Sequence, residues 1–139
     1  MSYEEKRAWI YAAIAAVLPV VYFATVLSQV ATTDVGQIAY VVPMLMAVAA
    51  AIVLNIVLSI AAAVASPTDH DLKDERDTSI DRYGEYRAGI VLGAAMVVPF
   101  ALTLARADHF WIAQGIYLAF VLSALTSAIL KIVMYRRGF

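Results

Sequence analysis

The chain has 139 residues, of which 63% are hydrophobic and 15% charged, with no cysteine and a formal net charge of -1. A water-soluble domain is about half apolar and about a quarter charged, so the composition argues against a soluble enzyme and against a disordered chain. The near-zero charge leaves no basic field for nucleic acid, and the lack of cysteine removes disulfides, thiolate catalysis and cysteine metal sites.

Four apolar stretches each reach the about 20 residues that a helix needs to cross hydrocarbon. The first covers residues 8–30. Lys6 and Arg7 before it suggest a signal peptide, but the run is too long for a signal h-region and no small-x-small cleavage site follows. It is therefore expected to stay as a span, bent at Pro19, where the ring removes a donor and crowds the preceding turn. A short loop, 31–37, leads to the second span, 38–65, whose length predicts tilt or extension past the hydrocarbon. Pro43 falls in its first turns, where a missing donor costs little.

A connector, 66–87, carries seven of the eleven acidic residues. Ser66, Pro67 and Asp69 read as a helix start and predict a short helix over 67–82, with Leu72, Ile80 and Tyr83 as its apolar side. Gly84 either breaks that helix or lets it run into the third span. Lys73 is in reach of Asp77, whereas Asp77 and Asp81 repel unless a cation such as Arg76 or Arg82 intervenes. The third span, 88–105, contains a Gly89/Gly93 GxxxG match and Pro99. The motif permits tight contact with the first span or with another protomer, and Pro99 predicts a bend like that at Pro19. The fourth span, 110–133, holds Lys131 near its end.

The Lys and Arg bias sets orientation. Lys6, Arg7, Lys73, Arg76, Arg82, Arg87, Lys131, Arg136 and Arg137 fall on one side, and only Arg106 on the other. Both termini and the connector are thus expected in the cytoplasm of a cell bearing this multi-pass protein in its plasma membrane. Trp9, Tyr11, Tyr86 and Tyr135 mark the inner interface, and Tyr40 and Trp111 the outer one.

An internal repeat accompanies this pattern. At an offset of 80 residues, Glu5, Arg7, Ala8, Ile10, Ala15, Val17 and Pro19 recur at Glu85, Arg87, Ala88, Ile90, Ala95, Val97 and Pro99. At an offset of 68, Ala51, Val53, Leu54 and Ser59 recur at Ala119, Val121, Leu122 and Ser127. The expected architecture is an all-α membrane protein, a four-transmembrane-helix bundle in one domain, 1–139. It is built from two related helical hairpins, about 5–65 and about 85–135, as in same-direction membrane repeats. Glu5, Arg7, Glu85 and Arg87 are expected to form reciprocal ion pairs between the hairpins at the inner interface, weak because partly solvated.

Small residues recur every four positions in the even-numbered spans: Ala47, Ala51, Asn55, Ser59 and Ala63 in the second, Gly115, Ala119, Ser123 and Ser127 in the fourth, with Lys131 next in step. That spacing keeps each set on one helical face. Such faces allow close approach in lipid, so the second and fourth spans are expected to meet there. Asn55 would then hydrogen-bond across to Ser123, Ser127 or a backbone carbonyl, because an unpaired amide in hydrocarbon is costly. A polar substrate path along Asn55, Ser59, Ser123 and Ser127 is the functional alternative to this structural glue.

The Asp74, Glu75, Arg76, Asp77 element with Ile80 downstream resembles one found before a transmembrane span in a group of uncharacterised small bacterial and archaeal integral membrane proteins. The resemblance implies a helical integral membrane protein and supplies no reaction. From the residues themselves, the connector reads as a solvated loop that enforces topology, as a docking surface at Asp74, Glu75, Arg76 and Asp77 for a cytoplasmic or membrane partner, or as a metal site at Asp69, His70 and Asp71. The last lacks a recognised ligand spacing, so no metal or cofactor is expected.

An enzyme is not expected either. His70 and His109 fall on opposite sides of the membrane, no base lies at the depth of the serines, and no phosphate-binding glycine loop is present. The leading expectation is a non-enzymatic integral membrane protein with an accessory or regulatory role that presents its connector to a partner. The alternative is a small transporter or channel-like protein, dimeric, along the Asn55 and serine face. It lacks the intramembrane ionisable group that proton coupling normally needs.

Overall fold

A computed structural model describes residues 2–65 and 74–138. They form five α-helices: α1 (Tyr3–Leu27), α2 (Val41–Ala65), α3 (Glu75–Ala95), α4 (Val97–Leu104) and α5 (His109–Arg137). α3 and α4 are two halves of one span, so four helices are long and apolar enough to cross a membrane. A short 3-10 turn, Val35–Gln37, lies in the loop before α2. The expected helix start at Ser66, Pro67 and Asp69, and the roles of His70, Asp71, Leu72 and Lys73, lie outside the described residues.

Local chemistry starts and stops the helices. Ser2 caps α1 by accepting from the Glu5 N–H at 3.2 Å, with Glu4 and Glu5 in the positive first turn. Asp108 caps α5 through the Phe110 N–H, and Arg136 and Arg137 sit in its negative last turn before Gly138, whose φ is 87°. Between α4 and α5 the Ala107 N–H reaches back to the Leu102 carbonyl at 2.9 Å and the Arg106 N–H to Thr103 at 3.1 Å. This Schellman-type closure needs a left-handed residue. Arg106 fills that position with φ 57°.

α5 is the hub. It packs against α3, α4 and α1, whereas α2 leans mainly on α1. No residue of α2 is buried. At the end of the bundle that holds the short loops, Tyr22, Val26, Ile38 and Phe110 form a buried cluster. The Tyr40 ring meets Phe110 edge-on, and Tyr22 meets Tyr117 in the same way.

This arrangement corrects the expected meeting of the second and fourth spans. The α5 stripe is taken by α3 and α4. A Cβ on Gly115 would lie 3.3 Å from Pro99 Cβ, Ser123 Oγ donates to the Ala88 carbonyl at 2.9 Å, and Ser127 Oγ donates to Glu85 Oε1 at 2.8 Å. With no acceptor from α5 facing it, Asn55 turns its amide back to the Ala51 carbonyl at 3.0 Å. That bond, one turn back along the helix, is always within reach of a short polar side chain.

Three other expectations are altered. The reciprocal ion pairs do not form. Glu5 lies beside Arg136, 2.7 Å from its Nε, Arg7 beside Glu4 at 3.6 Å, and Glu85 bonds Lys131. Arg87 lies over the Tyr83 ring. Position in the repeat does not determine these pairs, because the α5 C-terminus supplies cations closer to both glutamates. The two prolines also differ in their effect on helix continuity. α1 runs unbroken through Pro19, but the third span is interrupted at Met96, three residues before Pro99, and Pro99 then packs on Gly115. Finally, a Cβ at Gly89 or Gly93 would meet nothing within 4 Å among the described residues, so the GxxxG positions make no close contact with a described helix. Gly84 instead lets α3 run on into the span.

Candidate functional site

The N-terminal half of α3 is polar, and two clamps fix it to α5. The first uses the Asp74, Glu75, Arg76, Asp77 element. Asp74 and Asp77 form a capping box: the Asp77 N–H donates to Asp74 Oδ1 at 2.8 Å, and the Asp74 N–H to Asp77 Oδ2 at 3.3 Å. Asp77 also accepts from the Tyr135 hydroxyl at 2.6 Å. Arg76 Nη2 donates to the Met134 and Tyr135 carbonyls, both at 3.3 Å, and its guanidinium lies 5.6 Å from the centre of the Tyr135 ring. A cation thus sits at the negative end of α5, adding a donor to the Met134 carbonyl, which the Gly138 N–H also reaches at 3.0 Å, and to the Tyr135 carbonyl.

The second clamp lies about two turns further along α3. Lys131 Nζ donates to Glu85 Oε1 at 2.8 Å and lies 3.5 Å from Asp81 Oδ1. Gly84 makes room for it: a Cβ there would come within 3.0 Å of the lysine stem and 3.4 Å of the Ser127 carbonyl. Lys131 thereby stands between Asp81 and Glu85, whereas Asp77, for whose repulsion with Asp81 the sequence offers Arg76 or Arg82, is engaged by the Tyr135 hydroxyl.

Asp77, Ile80, Gly84 and Ala88 form the buried stripe of α3. The opposite face carries Glu75, Thr78 and Arg82, all exposed, with Ser79 beside them. Their spacing puts them on one face of the helix, around a shallow concavity of 380 Å³. Of the four residues expected to dock a partner, Asp74, Arg76 and Asp77 are engaged within the chain, and Glu75 points outward.

The residues expected to line a polar path are divided between two places. Ser123 and Ser127 face α3. Asn55 faces a mainly apolar groove of 560 Å³ bounded by α1, α2 and α5, with Tyr11, Pro19, Ala51 and Phe120 among its walls. Tyr11 and Asn55 also line a smaller polar basin of 140 Å³, where they are joined by Glu4, Arg7, Ser59, Asp81 and Lys131.

Several organising residues were not singled out from sequence. In the sequence Tyr135 and Arg136 stand out only as an interface aromatic and a topology charge. Gln114, 5% exposed, accepts from the Tyr22 hydroxyl at 2.7 Å inside the bundle. The signal was present, since an amide in an apolar span demands a partner for the same reason as Asn55. Among the described residues, no group of three or more His, Asp or Glu is placed to hold a metal ion. No family model, no curated protein and no solved structure matches this chain.

Proposed function

We propose that this multi-pass membrane protein is a non-enzymatic accessory or regulatory subunit, with both termini and the connector in the cytoplasm, that engages a partner through the outer face of α3. The observation that supports this reading is the clamping of a polar helix. A loop that served only to orient the spans needs no fixed shape. Here residues 75–87 project beyond the apolar part of the span and are held against α5 at both levels by Arg76, Asp77 and Tyr135 and by Glu85, Lys131 and Ser127. The held helix presents Glu75, Thr78, Ser79 and Arg82 in a fixed array. A prearranged surface loses less conformational freedom on binding, and an acid and a base about two turns apart favour a partner of matching opposite charges.

The cysteine-free chain allows a direct test. Ser79→Cys is expected to react with a membrane-impermeant thiol reagent only from the cytoplasmic side, and Gly36→Cys only from the other. A photocrosslinker at Ser79 in native membranes is expected to capture one discrete partner. Exchange of the charges by Glu75→Arg and Arg82→Glu should abolish that capture and reproduce the deletion phenotype. Capture and phenotype unchanged by the exchange would refute the docking role, and labelling from the reverse sides would refute the orientation.

A further inference from the structure

We infer that the groove between α1, α2 and α5 is a binding site for one phospholipid whose headgroup carries both an ammonium and a phosphate. The inference rests only on the chain lying in a bilayer and is independent of any protein partner. Two observations carry it. The groove is graded: its 560 Å³ apolar part, walled by residues such as Ile14, Ala51 and Phe120, continues past Tyr11 and Asn55 into the 140 Å³ basin, which is mostly polar. An amphipath with an apolar tail and a polar head has that profile. The basin also carries both charges: Glu4 beside Arg7 at 3.6 Å, and Asp81 beside Lys131 at 3.5 Å, the lysine being bonded to Glu85 as well at 2.8 Å.

Charge complementarity selects the head. A purely anionic head would meet Arg7 and Lys131 but also the carboxylates of Glu4 and Asp81. A head with both charges can set its phosphate toward the two cations and its ammonium toward the two acids. The Ser59 hydroxyl, also in the basin, supplies a further donor. Basic residues between membrane helices at the interface are a recurrent way of holding phosphate heads.

The length of the apolar part suits a segment of acyl chain. The α2 wall of the groove extends from Ala47 to Asn55, about 12 Å at 1.5 Å per residue. Ala47, Ala51 and Asn55 of the α2 small-residue face line the groove. This gives that face a role other than contact with α5.

The test uses the full chain reconstituted in bilayers of equal parts phosphatidylethanolamine and phosphatidylglycerol, with retained lipid counted by native mass spectrometry. One phosphatidylethanolamine per chain is expected, with several-fold preference over phosphatidylglycerol. Ala51→Phe fills the groove from α2 and Ala124→Leu from α5, and each should lower retention several-fold with helix content unchanged. Exchange of the basin cation by Arg7→Gln should reduce the preference between heads. Retention in the bulk lipid ratio would overturn the proposal, as would retention unaltered by either filling variant. Disulfide-linked pairs of chains formed through Ala51→Cys would also overturn it, because a second helix would then occupy the groove. If a filling variant does not fold, the head preference of the unaltered chain decides.

Discussion

Replacing Tyr135 by Phe removes one oxygen from the clamp between α3 and α5 and leaves the rest in place. The ring that Arg76 covers at 5.6 Å is retained, as are the Arg76 bonds to the α5 carbonyls. The lost contact is a 2.6 Å hydrogen bond to Asp77, a residue only 8% exposed. Hydrogen bonds to charged groups contribute about 1.5–3 kcal/mol, and a buried acceptor that loses its donor bears the desolvation cost. At 1.4 kcal/mol per decade, opening of the first turns of α3 should become about ten- to a hundredfold more frequent. Amide hydrogen exchange in nanodiscs reads this directly over residues 78–83. The loss should stay local, with the Tyr22–Gln114 region unchanged. In an Asp77→Asn background the same substitution should cost about 1 kcal/mol less, since the charge that strengthens the bond is gone. Equal protection in Tyr135→Phe and the parent chain would refute the clamp. So would an equal cost with and without the Asp77 charge.

The glycines separate close approach from mere sequence motif. Gly84→Leu should destabilise the bundle by about 1–3 kcal/mol in a detergent unfolding titration, because the new side chain meets the Lys131 stem and the Ser127 carbonyl. Gly89→Ala, with open space at its Cβ, should be neutral or stabilise by up to about 1 kcal/mol through helix propensity. Reversed signs would place the helix contact at the GxxxG motif instead. Arg106→Gly should stabilise by about 1 kcal/mol by relieving the left-handed backbone at φ 57°, whereas Arg106→Ala should not. Equal effects of the two would show that the turn carries no strain.

The spans were legible because a bilayer reads composition along the chain: about 20 apolar residues with charges at the ends have few other uses. Spacing was less informative about partners. A four-residue stripe defines a face of α5 but not what covers it, and both α2 and α3 offered small residues at suitable depth. The choice falls to α3 because Glu85 gives Ser127 and Lys131 a common acceptor, and Gly84 and Pro99 allow the backbones to close. Asn55 has no such acceptor from α5 and bonds its own helix.

The charged element shows the same limit. Asp74, Arg76 and Asp77 look alike as exposed connector charges until the end of α5 is brought beside them. The Tyr135 hydroxyl then engages Asp77 and the last carbonyls of α5 engage Arg76, Asp74 stays at the helix start bonded to Asp77, and Glu75 is left to the surface. Tertiary partners decide which charges remain available, and the linear pattern holds no record of them.

Pairing of the α5 stripe with α3, rather than with α2, underlies both the held face of α3 and the open groove. The cysteine-free background makes it testable by disulfide formation in native membranes. Ala88→Cys with Ser123→Cys should crosslink rapidly, because the Ser123 hydroxyl reaches the Ala88 carbonyl at 2.9 Å. Asn55→Cys with Ser123→Cys should remain reduced under the same oxidant. Rapid crosslinking of the second pair with none of the first would contradict the arrangement.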